Sequence, residues 1–244
     1  MFSEHIQVLA KHSTFNIKDF YQVLRDNGFD AGDESLRKKL HEMLNAGAIV
    51  RVGRNTYCVP GQDVRRYEYT YSDTSNDVAR TIIEKYPYID FILFELLQLN
   101  EFVNHQLAHN TIFVSVESDI MDFVFDTLKE AYTGKVLLNP SVEVFHQYWV
   151  DNMIVIMKMI TETPRGIKQK WHARIENILV DLMSVPLLQE SISESEYEAV
   201  FENAFTRYVV NESCLFRYAR RRAAEKRIKR FIKEKTGIIL KTEQ

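Results

Sequence analysis

The chain has 244 residues, of which 45% are apolar and 27% are charged, and its formal net charge is −3. A chain of this size can bury a hydrophobic core and can hold one domain or two. It contains no apolar run of the length that spans a membrane and no basic N-terminal segment followed by an apolar one, so neither a membrane-spanning helix nor a secretory signal is expected. Cys58 and Cys214 lack the spacing of a disulfide framework, which favours reduced thiols in a cytoplasmic protein.

The N-terminal segment 1–60 predicts three short helices. Apolar residues between 6 and 15 outline the first helix and its exit. The second helix follows Asn16, a good N-cap residue, and ends at Gly28. The third begins at Asp33 and ends at Gly47.

A β-hairpin follows these helices in the sequence. Apolar or aromatic residues alternate with polar ones over 49–52 and 56–59, which is typical of strands. Gly53 and Asn55, which lie between the two runs, readily take positive φ angles and therefore predict a turn. Three helices followed by a hairpin are the layout of a winged helix-turn-helix, whose third helix enters the major groove of DNA.

Seven side chains of this segment are candidates for contacts with double-stranded DNA. Basic residues of the hairpin can neutralise phosphates, and polar or basic residues of the third helix can reach base edges. The predicted set is Ser35, Arg37, Lys38, Lys39, His41, Arg51 and Arg54. Because segment 1–60 contains eight Lys or Arg against seven Asp or Glu, its net charge is low for a DNA-binding domain. A winged helix that binds protein is therefore a second hypothesis.

The rest of the chain predicts a linker over 61–76 and an α/β domain over 77–244. Strand patterns fall at 89–94, 111–116, 135–138 and 153–160, and helical patterns fall at 78–86, 97–107 and 120–132. In the last of these helices Phe123 is expected to face inward. After Pro164 the pattern is almost wholly helical. Strands that alternate with helices indicate an α/β (α+β) fold class.

One helical segment, IENILVDL at Ile175–Leu182, has a buried apolar stripe with Glu176 and Asp181 at its borders. Together with the winged helix, the sheet-containing middle and the helical end, this segment resembles the AbiE-type antitoxins. These are bacterial regulators of abortive-infection, type IV toxin–antitoxin systems, and they often have lysine where this chain has Asn177. The resemblance implies that the N-terminal domain binds its own promoter. It also implies that the C-terminal domain counteracts a nucleotidyltransferase-like toxin, for which a stable complex is not required.

Candidate catalytic residues are few in the sequence. His105 and His109 have the i, i+4 spacing of zinc ligands on a helix, but the glutamate of the H-E-x-x-H motif and a third ligand are missing, so surface histidines are expected. Asp90, Glu117 and Asp119 border two strands and leave a metal-dependent nuclease as an alternative, although Asp119 can simply cap a helix. No nucleotide-binding loop or hydrolase motif occurs. We therefore expect no enzyme, no cofactor and no bound metal.

The C-terminal segment 216–235 is strongly basic, with ten Lys or Arg and two Glu. On a continuous helix its stripe of cations would be Arg222, Lys226, Lys229, Arg230 and Lys233. This stripe is predicted to bind an anionic partner. Alternatively, it pairs with the acidic segment 190–202 of the same chain. The sequence as a whole predicts a transcriptional regulator that acts as an antitoxin.

Overall fold

In a computed structural model, the chain is described over residues 3–9, 15–29, 31–53, 55–59, 66–238 and 240. These residues form two compact units. The first consists of the described residues of 1–67 and 204–214 with Leu240, and the second consists of those of 68–203 and 215–238. The fold class is mixed α/β, as the sequence predicted. None of the helices in these ranges is long and apolar enough to cross a membrane.

The N-terminal part of the first unit contains three helices and a small sheet. Its elements are α1 (Ser3–Leu9), β1 (Phe15–Asn16), α2 (Ile17–Asp26), α3 (Asp33–Asn45), β2 (Val50–Gly53) and β3 (Thr56–Cys58). The strand order is β1-β3-β2, and both pairings are antiparallel. The three helices and the hairpin were predicted, whereas β1 was not. Phe15, expected at the exit of the first helix, instead pairs with Tyr57 across the sheet and is buried beside it.

Two glycines end α2 and α3, as predicted. Gly28 has a φ of 85° and Gly47 a φ of 69°, in the left-handed region that glycine adopts without a steric penalty. After each glycine the chain turns back: the N–H of Phe29 donates to the carbonyl of Leu24, and that of Ala48 donates to Met43, both at 2.9 Å. This pattern is the Schellman motif, which provides donors for the last carbonyls of a helix.

The first unit also differs from the predicted domain boundaries. It extends to Tyr67, beyond the predicted end at residue 60, and it includes residues 204–214, which were assigned to the second domain. The ring of Tyr208 packs edge-on against that of Tyr67, with their centroids 5.1 Å apart. A contact between positions so far apart in the chain leaves no local pattern, so sequence reasoning could not foresee it.

The rest of the chain contains four strands and eight α-helices in the described ranges. They are α4 (Asp73–Lys85), β4 (Phe91–Glu95), β5 (Thr111–Val116), α5 (Met121–Ala131), β6 (Val136–Leu138), α6 (Val142–Tyr148), β7 (Met153–Lys158), α7 (Ile175–Leu182), α8 (Pro186–Ser191), α9 (Tyr197–Arg207), α10 (Glu212–Arg221) and α11 (Glu225–Lys235). The strand order is β4-β5-β7-β6, in which only β4 is antiparallel to its neighbour. The sequence predicted all four strands close to their observed bounds.

Three details of this part were predicted wrongly. Helix α4 begins at Asp73, inside the predicted linker 61–76, because the hydroxyl of Ser72 accepts a hydrogen bond from the N–H of Ser75 and caps it. The predicted helix 97–107 is a 3-10 helix that ends at Glu101 and continues as an irregular segment. Phe123, expected inside, is 60% exposed, since the buried side of α5 is formed by other residues of the helix.

The hairpin turn is tied to the start of α2 by Asn55. Its φ is 56°, and its Oδ1 accepts a hydrogen bond of 3.2 Å from the backbone N–H of Ile17, one of the N–H groups that a helix start leaves without an intrahelical acceptor. We expect Asn55→Ala to lower the free energy of unfolding by about 1–2 kcal/mol, because alanine lacks the acceptor and tolerates the left-handed region poorly.

Urea denaturation of the full chain measures this loss. Asn55→Gly removes the same acceptor without backbone strain, so its loss should be smaller, and Asn55→Asp keeps an acceptor and should be smallest of the three. A chain that is equally stable with asparagine and with alanine would contradict the role of this contact.

Candidate nucleic-acid interface

The exposed face of α3 contains four of the residues that were predicted to contact DNA. Ser35, Arg37, Lys38 and His41 are all exposed, while the apolar residues on the other side of the helix are buried in the core of the unit. Within the described part of the chain, none of these four side chains makes an ion pair or a hydrogen bond. Their donors and acceptors are therefore available to an external ligand.

The fifth predicted residue of this helix, Lys39, is placed differently. Its ammonium lies 3.4 Å from a carboxylate oxygen of Glu42 and 5.9 Å from the ring centroid of Phe29. The side chain is thus only partly exposed and packs against its own unit. Similarly, Arg25 of α2 pairs at 3.3 Å with Asp33 at the start of α3. Among the residues that the structure describes, Arg37 and Lys38 remain as the unpaired cations of α3.

The hairpin contributes one described residue of the predicted set. Arg51 is exposed on β2, opposite Tyr57 of β3, and a bulge follows it between Arg51 and Gly53. Arg54 lies outside the described residues. The structure therefore places Ser35, Arg37, Lys38 and His41 on one helix, with Lys39 at its border, and Arg51 on a strand of the same unit.

The predicted C-terminal stripe is not on one helix. The chain breaks between α10 and α11, where Ala223 has a φ of 53°. The N–H of Ala224 donates to the carbonyl of Ala219 at 2.8 Å, and that of Ala223 donates to Arg220 at 3.1 Å. These bonds form a Schellman motif in which alanine takes the usual place of glycine. A helical wheel drawn over 216–235 therefore does not describe this segment.

Arg222, assigned to the exposed stripe, is instead held inside the second unit. Its Nε lies 3.1 Å from Oδ1 of Asp181 and donates to the hydroxyl of Tyr218 at 2.9 Å, and that hydroxyl donates to Asp181 at 2.8 Å. Only 15% of the Arg222 side chain is exposed. Burial raises the pKa of Asp181, and the Arg222 charge with the two hydrogen bonds opposes part of that rise. Arg222 is thus committed to an internal partner.

Other cations near this break are also paired. Glu162 lies 2.9 Å from Arg217 and 3.5 Å from Arg221. Glu225 lies 2.9 Å from Arg220 and 3.1 Å from Lys229, and hydrogen bonds from these two residues lower the pKa of Glu225 to about 2. By contrast, three members of the predicted stripe are exposed, namely Lys226, Arg230 and Lys233.

The acids and amide of α7 are likewise internal, which the sequence analysis missed. Glu176 is fully buried and lies 2.9 Å from Nε of Arg174, and Oδ1 of Asn177 accepts a hydrogen bond of 2.9 Å from the backbone of Arg174. With Asp181 paired to Arg222, both carboxylates of the IENILVDL segment belong to internal ion pairs. An acid inside an apolar helical run was the only sequence signal of this arrangement.

Two of the three carboxylates considered for a nuclease, Asp90 and Glu117, lie beside paired strand ends of the four-stranded sheet, and Asp119 belongs to the 3-10 helix that follows β5. Asp90 precedes β4 and Glu117 follows β5, and the strand ends beside them are paired, Phe91 with Val116. Asp90 is engaged in an ion pair with Arg165 at 2.8 Å. Over the residues that the structure describes, no three His, Cys, Asp or Glu side chains are grouped closely enough to hold a metal ion.

The two candidate zinc histidines are in an irregular segment, so they do not share a helix face. Nδ1 of His105 lies 2.5 Å from a carboxylate oxygen of Glu196, and Nδ1 of His109 lies 3.7 Å from Asp151. Both rings are mostly exposed. They have separate partners, as surface histidines commonly do.

Comparison with known proteins gives a match to a family model and matches to solved structures. A family model described as a family of unknown function (DUF6577) matches residues 35–238. The crystal structure of RV2827C protein from Mycobacterium tuberculosis aligns over 96% of this chain and 81% of that chain, with 12% sequence identity and a TM-score of 0.26. A TM-score this low does not support a structural argument. None of the curated proteins compared with the chain matches it.

Removal of Arg222 should destabilise the protein in a pH-dependent way. We expect Arg222→Ala to cost about 3 kcal/mol of unfolding free energy at neutral pH, because the Asp181 carboxylate loses its cation. In the variant the pKa of Asp181 rises further, so the folded state binds a proton more readily than the unfolded state. The penalty is therefore full above that raised pKa and shrinks as the pH falls through it.

Urea denaturation at several pH values measures this effect. Arg221→Ala, which removes an exposed arginine one residue away, is the matched control and should cost less than about 1 kcal/mol at every pH. A penalty for Arg222→Ala that does not change with pH would contradict the proposed pairing with Asp181.

Proposed function

This chain belongs to the family of unknown function DUF6577, and we propose that it is a DNA-binding transcriptional regulator that represses its own promoter. The main support is the exposed face of α3, where Ser35, Arg37, Lys38 and His41 have no internal partners in the described part of the chain. An α-helix with such a face fits the major groove of double-stranded DNA, which is about 12 Å wide.

The residue types on this face suit direct base recognition. Lysine and arginine can donate to the acceptors of guanine, serine can bond to several base edges, and a histidine nitrogen can act as donor or acceptor. We assign Lys38 and His41 to base edges. Arg37 and the hairpin residue Arg51 are assigned to phosphates, which set the position of the helix on the duplex.

The antitoxin role is the second part of the proposal, and the resemblance to AbiE-type antitoxins supports it. In this role the cytoplasmic protein counteracts a nucleotidyltransferase-like toxin, and no stable complex of the two proteins is required. Because Glu176 and Asp181 are held in internal ion pairs, this action would use other residues of the second unit.

The alternative function is a protein-interaction module, and the low net charge of α3 supports this alternative. The helix contains Asp33, Glu34 and Glu42 as well as three basic residues, so its field is weak compared with that of many DNA-reading helices. A winged helix that binds protein would show no preference for any DNA sequence.

The paired variant Lys38→Ala/His41→Ala tests the DNA-binding function. We expect its affinity for the chain's own upstream DNA to fall by about tenfold or more, because each lost base contact contributes roughly 1–3 kcal/mol of discrimination. Its affinity for random-sequence duplex should change much less. Fluorescence anisotropy at a fixed salt concentration measures both affinities.

The matched control is Lys85→Ala/His146→Ala, which removes the same residue types from exposed positions of the second unit. It should bind upstream DNA as the wild type does. If the wild-type protein binds upstream and random-sequence DNA with equal affinity, the regulator is excluded and the protein-interaction module is favoured.

Growth of cells that produce a nucleotidyltransferase-like protein encoded beside this chain tests the antitoxin function. We expect the wild-type chain to restore growth. We also expect Lys38→Ala/His41→Ala to restore it when produced from an unrelated promoter, since α3 belongs to the first unit. Failure of the wild-type chain to restore growth would contradict the antitoxin role and leave the DNA-binding proposal intact.

A further inference from the structure

The cations around α11 separate into paired and unpaired groups. The paired group contains Arg217, Arg220, Arg221, Arg222 and Lys229, whose acidic partners are described above. The unpaired group includes Lys226, Arg230 and Lys233, for which no ion pair or hydrogen bond exists in the described part of the chain. All three are exposed. Glu225, the acid next to Lys226 in the chain, is thus paired with Arg220 and Lys229.

These three residues form a line along α11, which we name the α11 ridge. Lys226 and Arg230 are one turn apart, and Lys233 follows about one turn later. The three positions fall within about 60° of one another around the helix, and they span about 10 Å along its axis. Ile228 and Ile232 lie on the far side of the helix and are buried.

The acidic residues that face α11 leave most of this ridge uncompensated. A groove of about 470 Å³ is lined by three acids, Glu190, Glu194 and Glu234, and its basic lining residues include Arg227 and Arg230. Lys226 and Lys233 do not line it. These acids therefore weaken the positive electrostatic field near Arg230. The charges of Lys226 and Lys233 face solvent.

The chemistry of the ridge indicates a phosphate backbone as its partner. Protein interfaces are centred on buried apolar or aromatic anchors, and the ridge itself consists only of Lys and Arg. Each strand of a duplex presents one phosphate per about 3.4 Å of axis, so several phosphates lie within the reach of a line of cations about 10 Å long. Contacts of Lys and Arg with phosphate oxygens carry no sequence information, so a ridge that contacts only the backbone does not distinguish one base from another.

We propose that the α11 ridge binds the phosphate backbone of nucleic acid independently of sequence, as a contact surface separate from α3. The ridge belongs to the second unit, and α3 belongs to the first. The proposal does not require that the chain is a transcriptional regulator.

The triple variant Lys226→Ala/Arg230→Ala/Lys233→Ala tests this proposal in the full chain. Its control is Lys85→Ala/Lys135→Ala/Lys170→Ala, which removes the same net charge from exposed positions elsewhere in the second unit. Affinity for a labelled random-sequence duplex is measured by anisotropy between about 50 and 200 mM salt. We expect the ridge variant to bind about tenfold or more weakly at low salt, with a log–log salt slope shallower by about 2 to 3.

The preference for upstream over random-sequence DNA should be unchanged in the ridge variant. In Lys38→Ala/His41→Ala the opposite pattern is expected, with a lost preference and a retained ridge contribution. If the wild type shows no preference but the ridge variant still loses affinity, the regulator fails and the ridge proposal stands. Thermal unfolding checks that both triple variants are folded. We expect both to fold, because all six positions are exposed and alanine favours the helix in which the three ridge residues lie.

Three results would overturn the proposal. The first is a ridge variant with wild-type affinity and salt slope. The second is an equal loss in the control variant, since only net charge would then matter. The third is displacement of the duplex by poly-L-glutamate as effectively as by an unlabelled oligonucleotide of equal charge, because the surface would then have no preference for phosphates.

Discussion

The ion pair between Asp181 and Arg222 removes one cation of the basic C-terminal segment from the surface and lies at the break between α10 and α11. Ten basic residues follow one another closely in this segment, and their mutual repulsion would be large on one uninterrupted helix. The contact with Asp181 and Tyr218 holds Arg222, the residue that directly follows the end of α10. The next residue, Ala223, takes a left-handed conformation that costs about 1 kcal/mol, which the buried contacts offset. Helix α11 then begins anew at Glu225 with its own exposed side.

The same principle explains α7, where polar groups lie inside an apolar helix. A buried charge is tolerated only when a partner and further hydrogen bonds compensate for its lost hydration. Glu176 has Arg174, and Asp181 has Arg222 and Tyr218. Helix α7 is therefore held inside the second unit by internal ion pairs as well as by its buried apolar residues. A partner protein cannot reach these carboxylates without breaking the pairs, so any interaction surface of this unit consists of other side chains.

Sequence reasoning succeeded where the cause of a structure is local. Gly28 and Gly47 end their helices because only glycine takes the required φ at no steric cost, and the run 111–116 forms a strand because its residues fit a buried sheet. Sequence reasoning failed at Ala223, because alanine and arginine are strong helix formers and the local sequence contains no residue that indicates the end of a helix. Asp181, the acid that pairs with Arg222 at that break, belongs to α7 and is far from Arg222 in the chain.

The same distinction between local and non-local causes applies to the candidate site. The exposure of Ser35, Lys38 and His41 followed from helical periodicity alone, because their helix has one apolar side and a fixed start and end. Which cations of segment 216–235 remain unpaired did not follow from periodicity, because Glu162, Asp181 and Glu225 pair with five of them. Composition establishes the size of the charge excess, and only the three-dimensional pairing shows which part of it remains unpaired.

The two surfaces that we propose to bind nucleic acid differ in residue type, and under that proposal they contribute differently to binding. The face of α3 combines a hydroxyl, an imidazole and two cations, which can discriminate among base edges, whereas the α11 ridge offers only positive charge. Charge contacts respond steeply to salt and little to sequence, and base contacts do the reverse. A chain with a net charge of −3 has little general attraction to DNA. The DNA binding that we propose must therefore arise from local surfaces, and under that proposal the weakly charged helix α3 gains most from a separate set of phosphate contacts.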